Sequence, residues 1–156
     1  MANTAGMERL PSGLGICTTI PDMFYIPELV FGGLVWCLVA STYVVPANPQ
    51  GWVMFVSVFC FVMTFIWLVV FTCGGHRNSG GWAAADFGYH GFAAFLYLSS
   101  SVLLATVTIS YATLANIQPQ LWKYYKMNIS AVVFSFFTTL LYFIHAIFSA
   151  NRWKAF

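Results

Sequence analysis

The chain has 156 residues, of which 60% are hydrophobic and only 6% are charged, and its mean hydropathy is +0.80. A soluble domain is about 45–50% apolar and about 25% charged, so this composition excludes both a water-soluble globule and a disordered chain. The net charge of +2 comes without a dense basic run, which argues against nucleic-acid binding. The composition is typical of a protein that lies in a lipid bilayer.

Four apolar windows are long enough to cross a membrane as helices. A helix rises about 1.5 Å per residue, so about 20 apolar residues cross the hydrocarbon core. Turn-forming Pro, Gly and Asn residues separate the windows. The helical pattern already present from Trp82 predicts that the third helix begins before its span. We predict an all-α membrane protein, a four-transmembrane-helix bundle, with an N-terminal tail 1–23, a membrane region 24–150 (spans 24–44, 52–73, 91–112 and 128–150) and a C-terminal tail 151–156.

The basic residues predict which side of the membrane holds the two tails. An even number of spans places both tails on one side, and the cytosolic side carries the excess of Lys and Arg. We therefore predict that both tails are cytosolic. The tails and the second loop contain Arg9, Arg77, Arg152 and Lys154, whereas the first and third loops contain only Lys123 and Lys126.

The segments outside the spans are too short to form a domain, because even small domains need about 40 residues. The sequence contains no nucleotide-binding glycine loop, no metal-binding motif such as His-Glu-x-x-His and no recognisable nucleophile–base set. We therefore predict a non-enzymatic protein without catalytic residues, metal ligands or cofactors. Its function is expected to reside in the spans and in their lipid contacts.

The four cysteines are placed unevenly along the chain. Cys17 and Cys73 fall on the predicted cytosolic side, whereas Cys37 and Cys60 lie within spans. The predicted outer loops contain no cysteine, which argues against a disulfide-stapled ectodomain of the tetraspanin, claudin or connexin kind. Cys17 and Cys73 are therefore candidates for S-acylation, and inert thiols are the alternative.

Four ionisable residues are predicted to lie in the membrane at similar depth, near its cytosolic side. A charge near the bilayer centre costs about 2.5–3.5 kcal/mol on insertion scales, so each residue needs a partner. We predict a buried polar clasp in which each carboxylate pairs with an imidazole and fixes helix packing. The alternative is a small transporter or channel, although the predicted outer halves of spans two and four offer only scattered hydroxyl groups. The four residues are Glu28, Asp86, His90 and His145.

Small residues recur at four-residue spacing in two of the spans, and such stripes let helices approach closely. Packing within the bundle is the favoured interpretation, and self-association is the alternative. The stripes are Gly33, Cys37 and Ser41 in span one, and Ala131, Ser135 and Thr139 in span four.

Several stretches resemble the MAL proteolipid branch of the MARVEL-domain family. The most specific is the ten-residue run 50–59, and the stretches 31–36, 38–41 and 128–135 add to it. Regions 74–81 and 113–125 match poorly. Shorter matches at 10–13, Asp86, 89–90, 139–142, 145–146 and 152–154 extend the resemblance over nearly the whole chain.

The resemblance implies a four-span bundle of the MARVEL type with both tails cytosolic. It also implies a raft-associated proteolipid that organises glycosphingolipid- and cholesterol-rich membrane for apical or polarised vesicle trafficking, for delivery of cargo membrane proteins and for myelin formation. The implied locations are plasma-membrane rafts, Golgi or endosomal transport vesicles, and myelin. The matching C-terminal peptide acts in sorting, which assigns that role to Arg152, Trp153 and Lys154, although this chain ends in Ala155-Phe156 rather than Ser-Ser.

Overall fold

The computed structural model describes residues 10–156, and within that range it contains four long helices and three short 3-10 segments. Arg9 and the first part of the predicted N-terminal tail lie outside the described residues. The four helices all fall in stretches long and apolar enough to cross a membrane. They are α1 (Tyr25–Ala40), α2 (Ala47–Thr72), α3 (Gly80–Ala115) and α4 (Trp122–Lys154), and the 3-10 segments are Gly13–Cys17, Asp22–Phe24 and Pro119–Leu121.

The helices form an antiparallel bundle in which each helix packs against its neighbours in the cyclic order α1, α2, α3, α4. The largest interface lies between α3 and α4, and α1 packs against both α2 and α4. The predicted all-α, four-span fold is confirmed. The N-terminal segment, the α2–α3 connection and the C-terminus lie at one end of the bundle, which we call the termini end. The α1–α2 and α3–α4 connections lie at the opposite end.

The helix bounds differ from the predicted spans for local reasons. α1 stops at Ala40, because Tyr43 and Val44 have φ values of 58° and 53°, which a right-handed helix cannot contain. α3 begins at Gly80, where the Ser79 hydroxyl accepts a hydrogen bond from the Gly81 N–H at 3.2 Å. The stretch from Trp82 is therefore helical, as predicted. α4 continues to residue 154, so most of the predicted C-terminal tail is helical.

The described part of the N-terminal tail packs onto the termini end of the bundle. The Leu10 N–H donates to Asn78 Oδ1 at 2.7 Å, and His76 Nε2 lies 2.9 Å from the carbonyl oxygen of Pro11. A carbonyl only accepts, so His76 Nε2 is the donor. This segment is thus anchored to the α2–α3 connection. Its Leu10 and Ile16 join a buried hydrophobic cluster with Tyr25, Trp67, Phe71 and Ala83.

The outer surface of the bundle is apolar over the membrane-spanning lengths. Large side chains point outward from every helix, with Phe95 71% exposed, Ile109 70% and Val133 60%. A soluble bundle would place polar residues at such positions. This surface therefore faces lipid.

The two small-residue stripes have different surroundings. In α4, Ala131 and Ser135 are buried inside the bundle, so the packing interpretation is confirmed for that stripe. In α1, Gly33 packs against Phe61 of α2, where an added Cβ would lie 3.3 Å from the ring, whereas Cys37 and Ser41 are exposed, so the packing interpretation is wrong for those two. The buried glycine of α1 is Gly32, where an added Cβ would lie 3.1 Å from the Tyr97 hydroxyl.

Candidate functional site

The structure brings Glu28, Asp86, His90 and His145 together near the termini end, although they come from three different helices. All four side chains are completely buried. Glu28 Oε1 lies 2.8 Å from His145 Nδ1, and Glu28 Oε2 lies 3.5 Å from His90 Nε2. One carboxylate on α1 therefore contacts imidazoles on both α3 and α4.

Asp86 has more partners than the predicted carboxylate–imidazole pair. Its Oδ1 lies 3.2 Å from His90 Nδ1 and accepts a hydrogen bond from the Tyr25 hydroxyl at 2.6 Å. Its Oδ2 accepts hydrogen bonds from Ser149 Oγ at 2.5 Å and from Arg152 Nη2 at 2.9 Å. Both oxygens of this carboxylate are thus held by donors, one of which is a guanidinium that always carries a positive charge.

Arg152 belongs to this site, although the family resemblance assigns it to a sorting peptide. It is only 3% exposed, its Nη1 donates to Asp22 Oδ2 at 2.5 Å, and its guanidinium lies 5.7 Å from the centre of the Phe71 ring. Trp153 and Lys154 are exposed. Of the three residues assigned to sorting, only these two present their side chains at the surface.

Asp22 and Arg152 are part of this site but are not among the residues predicted for it from the sequence. The available signal was topological, because the start of span one and the end of span four meet at the same end of an antiparallel bundle. The excess of buried carboxylates over fixed cations also called for an arginine or a lysine. We refer to the whole group as the charged cluster: Asp22, Glu28, Asp86, His90, His145 and Arg152.

Aromatic rings enclose the charged cluster. The rings of His90 and His145 stack with centroids 3.6 Å apart and an interplanar angle of 24°. The Tyr25 ring lies 5.4 Å from the His90 ring and 4.8 Å from the His145 ring. Such surroundings exclude water and strengthen every charge–charge contact inside.

The charged cluster can act in two ways. It can hold three helices in register. Glu28, His90 and His145 could also hold a metal ion, since each offers a ligand atom within 4.8 Å of the others.

Further buried polar side chains follow the bundle axis toward the opposite end. The hydrogen bonds within these groups measure 2.6 to 3.1 Å. The predicted outer halves of spans two and four are expected to offer only scattered hydroxyl groups. Two completely buried amides add to these hydroxyl groups: Asn128, the first residue of predicted span four, and Gln50, two residues before predicted span two. The groups are Thr64 with Tyr89 and Tyr142, Ser101 with Ser135, and Gln50 with Thr42 and Asn128.

The two cysteines predicted to carry acyl chains are both exposed at the termini end. Cys17 is the last residue of the first 3-10 segment, and Cys73 caps the C-terminus of α2. Cys37 is exposed on the lipid-facing side of α1, whereas Cys60 is buried. Both candidate thiols are accessible to a modifying enzyme, and their acylation stays a prediction.

A groove of about 480 Å³ runs between α3 and α4 on the lipid-facing surface. An added Cβ on Gly91 would meet nothing within 4 Å, so the groove is open at that position. Phenylalanine rings and small residues make the lining almost wholly apolar. The lining residues are Gly91, Ala94, Phe95, Leu98, Phe136, Thr139, Leu140 and Phe143.

Comparison with known proteins gives a consistent result. The family model of MARVEL, described as a membrane-associating domain, matches residues 17–148. The chain is 49% identical to the myelin and lymphocyte protein of the dog (Canis lupus familiaris), covering 99% of this chain and 97% of that protein. The human protein (Homo sapiens) of that name is 47% identical over the same shares. Plasmolipin from zebrafish (Danio rerio) is 32% identical, covering 90% of this chain and 76% of the relative. No solved structure matches the chain.

Proposed function

Because the chain belongs to the MARVEL family of membrane-associating domains, we propose that it organises sphingolipid- and cholesterol-rich membrane for polarised vesicle trafficking and for myelin formation. The family resemblance seen in the sequence is confirmed, and the protein is a multi-pass integral membrane protein related to known proteolipids. The name of its mammalian relatives supports the myelin part of the proposal. The proposed role is non-enzymatic, and the proposed locations are plasma-membrane rafts, Golgi or endosomal transport vesicles, and myelin.

The observation that carries the proposal is the groove between α3 and α4. Its walls include the rings of Phe95, Phe136 and Phe143, and the Thr139 hydroxyl of the lining donates back to the Ser135 carbonyl oxygen. A rigid apolar molecule, such as the ring system of cholesterol, matches this apolar lining. Because the groove opens onto the lipid-facing surface, a lipid could bind there while it stays in the bilayer. An organiser of lipid domains requires such a site.

The exposed thiols at the termini end add a second means of lipid selection. Saturated acyl chains on Cys17 and Cys73 would enter the same leaflet and add apolar contact with ordered lipid. The short connections leave neighbouring copies free to approach, which supports self-association and contact with cargo membrane proteins.

Partitioning in phase-separated giant vesicles tests the proposal. The acylated protein is reconstituted with sphingolipid, cholesterol and unsaturated lipid, next to a Cys17→Ser/Cys73→Ser variant and a Cys37→Ser control. We expect enrichment in the ordered phase or at its boundary, loss of enrichment in the double variant and no change in the control. Exclusion of the wild-type protein from the ordered phase would contradict the proposal.

The groove is tested separately by photo-crosslinking to a cholesterol analogue. Gly91→Phe places a ring in the open part of the groove, whereas Val62→Phe adds the same ring at an exposed position on α2. We expect the first change to reduce labelling several-fold and the second to leave it unchanged. Equal labelling of the two variants would show that the groove does not select the sterol.

The alternative of a small transporter or channel is favoured by one observation, the buried polar groups along the bundle axis. In that case Glu28, Asp86, His90 and His145 would act as relays. Proteoliposomes with an internal pH-sensitive dye test this, with Glu28→Gln compared against an exposed control, Lys123→Gln. A proton flux lost only in Glu28→Gln would favour the conduit, and wild-type flux equal to that of empty liposomes would exclude it.

A further inference from the structure

Two imidazoles and one carboxylate from three helices converge inside the charged cluster. Glu28, His90 and His145 each offer a ligand atom within 4.8 Å of those of the other two, and all three side chains are completely buried. Imidazole nitrogen with carboxylate oxygen is a donor set typical of zinc. We propose that these three residues bind one zinc ion, although the sequence analysis predicted no metal ligands.

Each of the three residues has one side-chain atom without a hydrogen-bond partner among residues 10–156. These atoms are Glu28 Oε2, His90 Nε2 and His145 Nε2. Buried polar atoms nearly always have a partner, so three such atoms on adjacent side chains require an explanation. Glu28 Oε2 and His90 Nε2 lie 3.5 Å apart, so one shared metal ion would satisfy both, whereas His145 Nε2 lies on the side of its ring that faces Asp86 Oδ2, 3.8 Å away.

The other ring nitrogens already have the partners expected of metal-bound histidines. His90 Nδ1 lies 2.8 Å from the backbone carbonyl oxygen of Asp86, which can only accept, so Nδ1 carries the proton and the Nε2 lone pair is available. His145 Nδ1 lies 2.8 Å from Glu28 Oε1 and is the nitrogen that faces the proposed site, while its Nε2 lies 3.8 Å from Asp86 Oδ2. Tyr25 and Arg152 in turn fix the Asp86 side chain. Asp86 therefore lies next to the second nitrogen of both imidazoles, and it would remain in place when metal binds.

Charge balance also favours a divalent cation. Within residues 10–156, the carboxylates of Asp22, Glu28 and Asp86 share the guanidinium of Arg152, which leaves two negative charges when both imidazoles are neutral. Two imidazolium ions would also balance them, but the stacked rings lie only 3.6 Å apart and like charges at that distance repel. One zinc ion supplies the same charge without this repulsion.

The site must contract and the two rings must tilt before the ligands become tetrahedral. Ligand atoms about 2.0–2.2 Å from zinc lie about 3.3–3.5 Å from one another, so atoms now up to 4.8 Å apart would close by as much as about 1.5 Å. The stacked imidazoles would also tilt out of their present arrangement so that both lone pairs point to one ion. Three protein ligands leave a fourth position for water. Magnesium and calcium fit poorly, because both prefer sites made of oxygen ligands alone.

Metal titration of the intact chain tests the site. The full-length protein is purified in detergent, treated with a chelator and titrated with Zn²⁺ in the presence of a competing indicator. We expect one ion per chain and more than about 100-fold weaker zinc binding in His90→Gln and His145→Gln. Changing a residue that only hydrogen-bonds to a metal ligand typically weakens binding about 10- to 100-fold. His76→Gln is the matched control, because His76 is the one remaining histidine of the three in the sequence and lies outside the charged cluster. Its affinity for zinc is expected to be unchanged.

X-ray absorption at the zinc edge identifies the ligands in the wild-type protein and does not depend on whether the variants fold. We expect two imidazoles with nitrogen and oxygen at about 2.0–2.2 Å and no sulfur at about 2.3 Å. The spectrum of a Cys17→Ser/Cys37→Ser/Cys73→Ser variant is expected to be the same. Absence of saturable binding, sulfur in the spectrum, or loss of binding in His76→Gln would each overturn the proposal.

Discussion

The two ends of the bundle are held together by different chemistry. At the termini end, the charged cluster joins α1, α3 and α4 through ionised groups that are completely buried. At the opposite end, neutral groups make the contacts: the Thr42 hydroxyl donates to Gln50 Oε1 at 3.1 Å, and Gln50 Nε2 donates to Asn128 Oδ1 at 3.1 Å. The Tyr111 hydroxyl also donates to the Val45 carbonyl oxygen at 2.6 Å.

This difference determines how each end responds to the loss of one partner. Removing one member of a buried ion pair leaves an uncompensated charge, which lowers the free energy of unfolding by about 3–5 kcal/mol. A hydrogen bond between membrane helices contributes about 0.6 kcal/mol, or roughly a fifth of that. Removing one neutral partner leaves an unpaired polar group rather than an uncompensated charge, so the loss of stability is smaller. The termini end therefore specifies a single arrangement of its helices, whereas the opposite end tolerates change.

The largest expected effect comes from Arg152→Met, which preserves much of the side-chain volume and removes the charge. Asp22 and Asp86 would lose their shared cation, so we expect the free energy of unfolding to fall by about 3–5 kcal/mol. Equilibrium unfolding in mixed detergent micelles measures the change. The control is Lys154→Met on the exposed side of the same helix end, with an expected change within about 0.5 kcal/mol. Equal losses in the two variants would refute a special role for the buried guanidinium.

A smaller effect is expected from Asn128→Leu at the opposite end. Gln50 would lose the acceptor of its amide hydrogen bond, and we expect a loss of about 1–2 kcal/mol in the same unfolding measurement. Ser130→Ala, an exposed position two residues along α4, is the control and is expected to have almost no effect. A loss as large as that of Arg152→Met would remove the distinction between the two ends.

The smallest effect is expected between the ends, from Ser135→Ala. Ser135 shares a hydrogen bond of 2.6 Å with Ser101 on α3, and hydrogen bonds of this kind average about 0.6 kcal/mol in membrane proteins. The matched change on the exposed face of α3 is Ser110→Ala, for which no measurable loss is expected. A double variant with Ser101→Ala should lose less than the sum of the two single variants, because both changes remove the same Ser101–Ser135 bond.

Hydropathy was sufficient to predict the four helices, because lipid demands long apolar helices whatever the packing inside. It was also sufficient to place Glu28, Asp86, His90 and His145 at one depth, where the structure brings them together. Depth follows from position along a span and needs no knowledge of side-chain contacts.

The partners of these residues could not be predicted in the same way. The predicted fourth span stopped at residue 150 because hydropathy falls there, yet the helix continues and carries Arg152 back onto Asp22. A polar side chain at a helix end can face water or fold inward, and only the packing of distant segments decides between them. Similarly, adjacent Gly32 and Gly33 differ by about 100° around the helix axis, so the sequence did not identify which of them faces the core.

The first two helices have unequal hydrophobic lengths. The first span, Asp22–Ala40, has 19 residues and reaches about 28 Å. The second, Ala47–Thr72, is kinked at Asn48, and its regular part, residues 49–72, reaches about 36 Å. A bilayer meets such a mismatch by thinning on one side of the molecule and by thickening on the other, or the helices tilt to reduce it. A molecule of this shape is therefore least strained where thin and thick membrane meet.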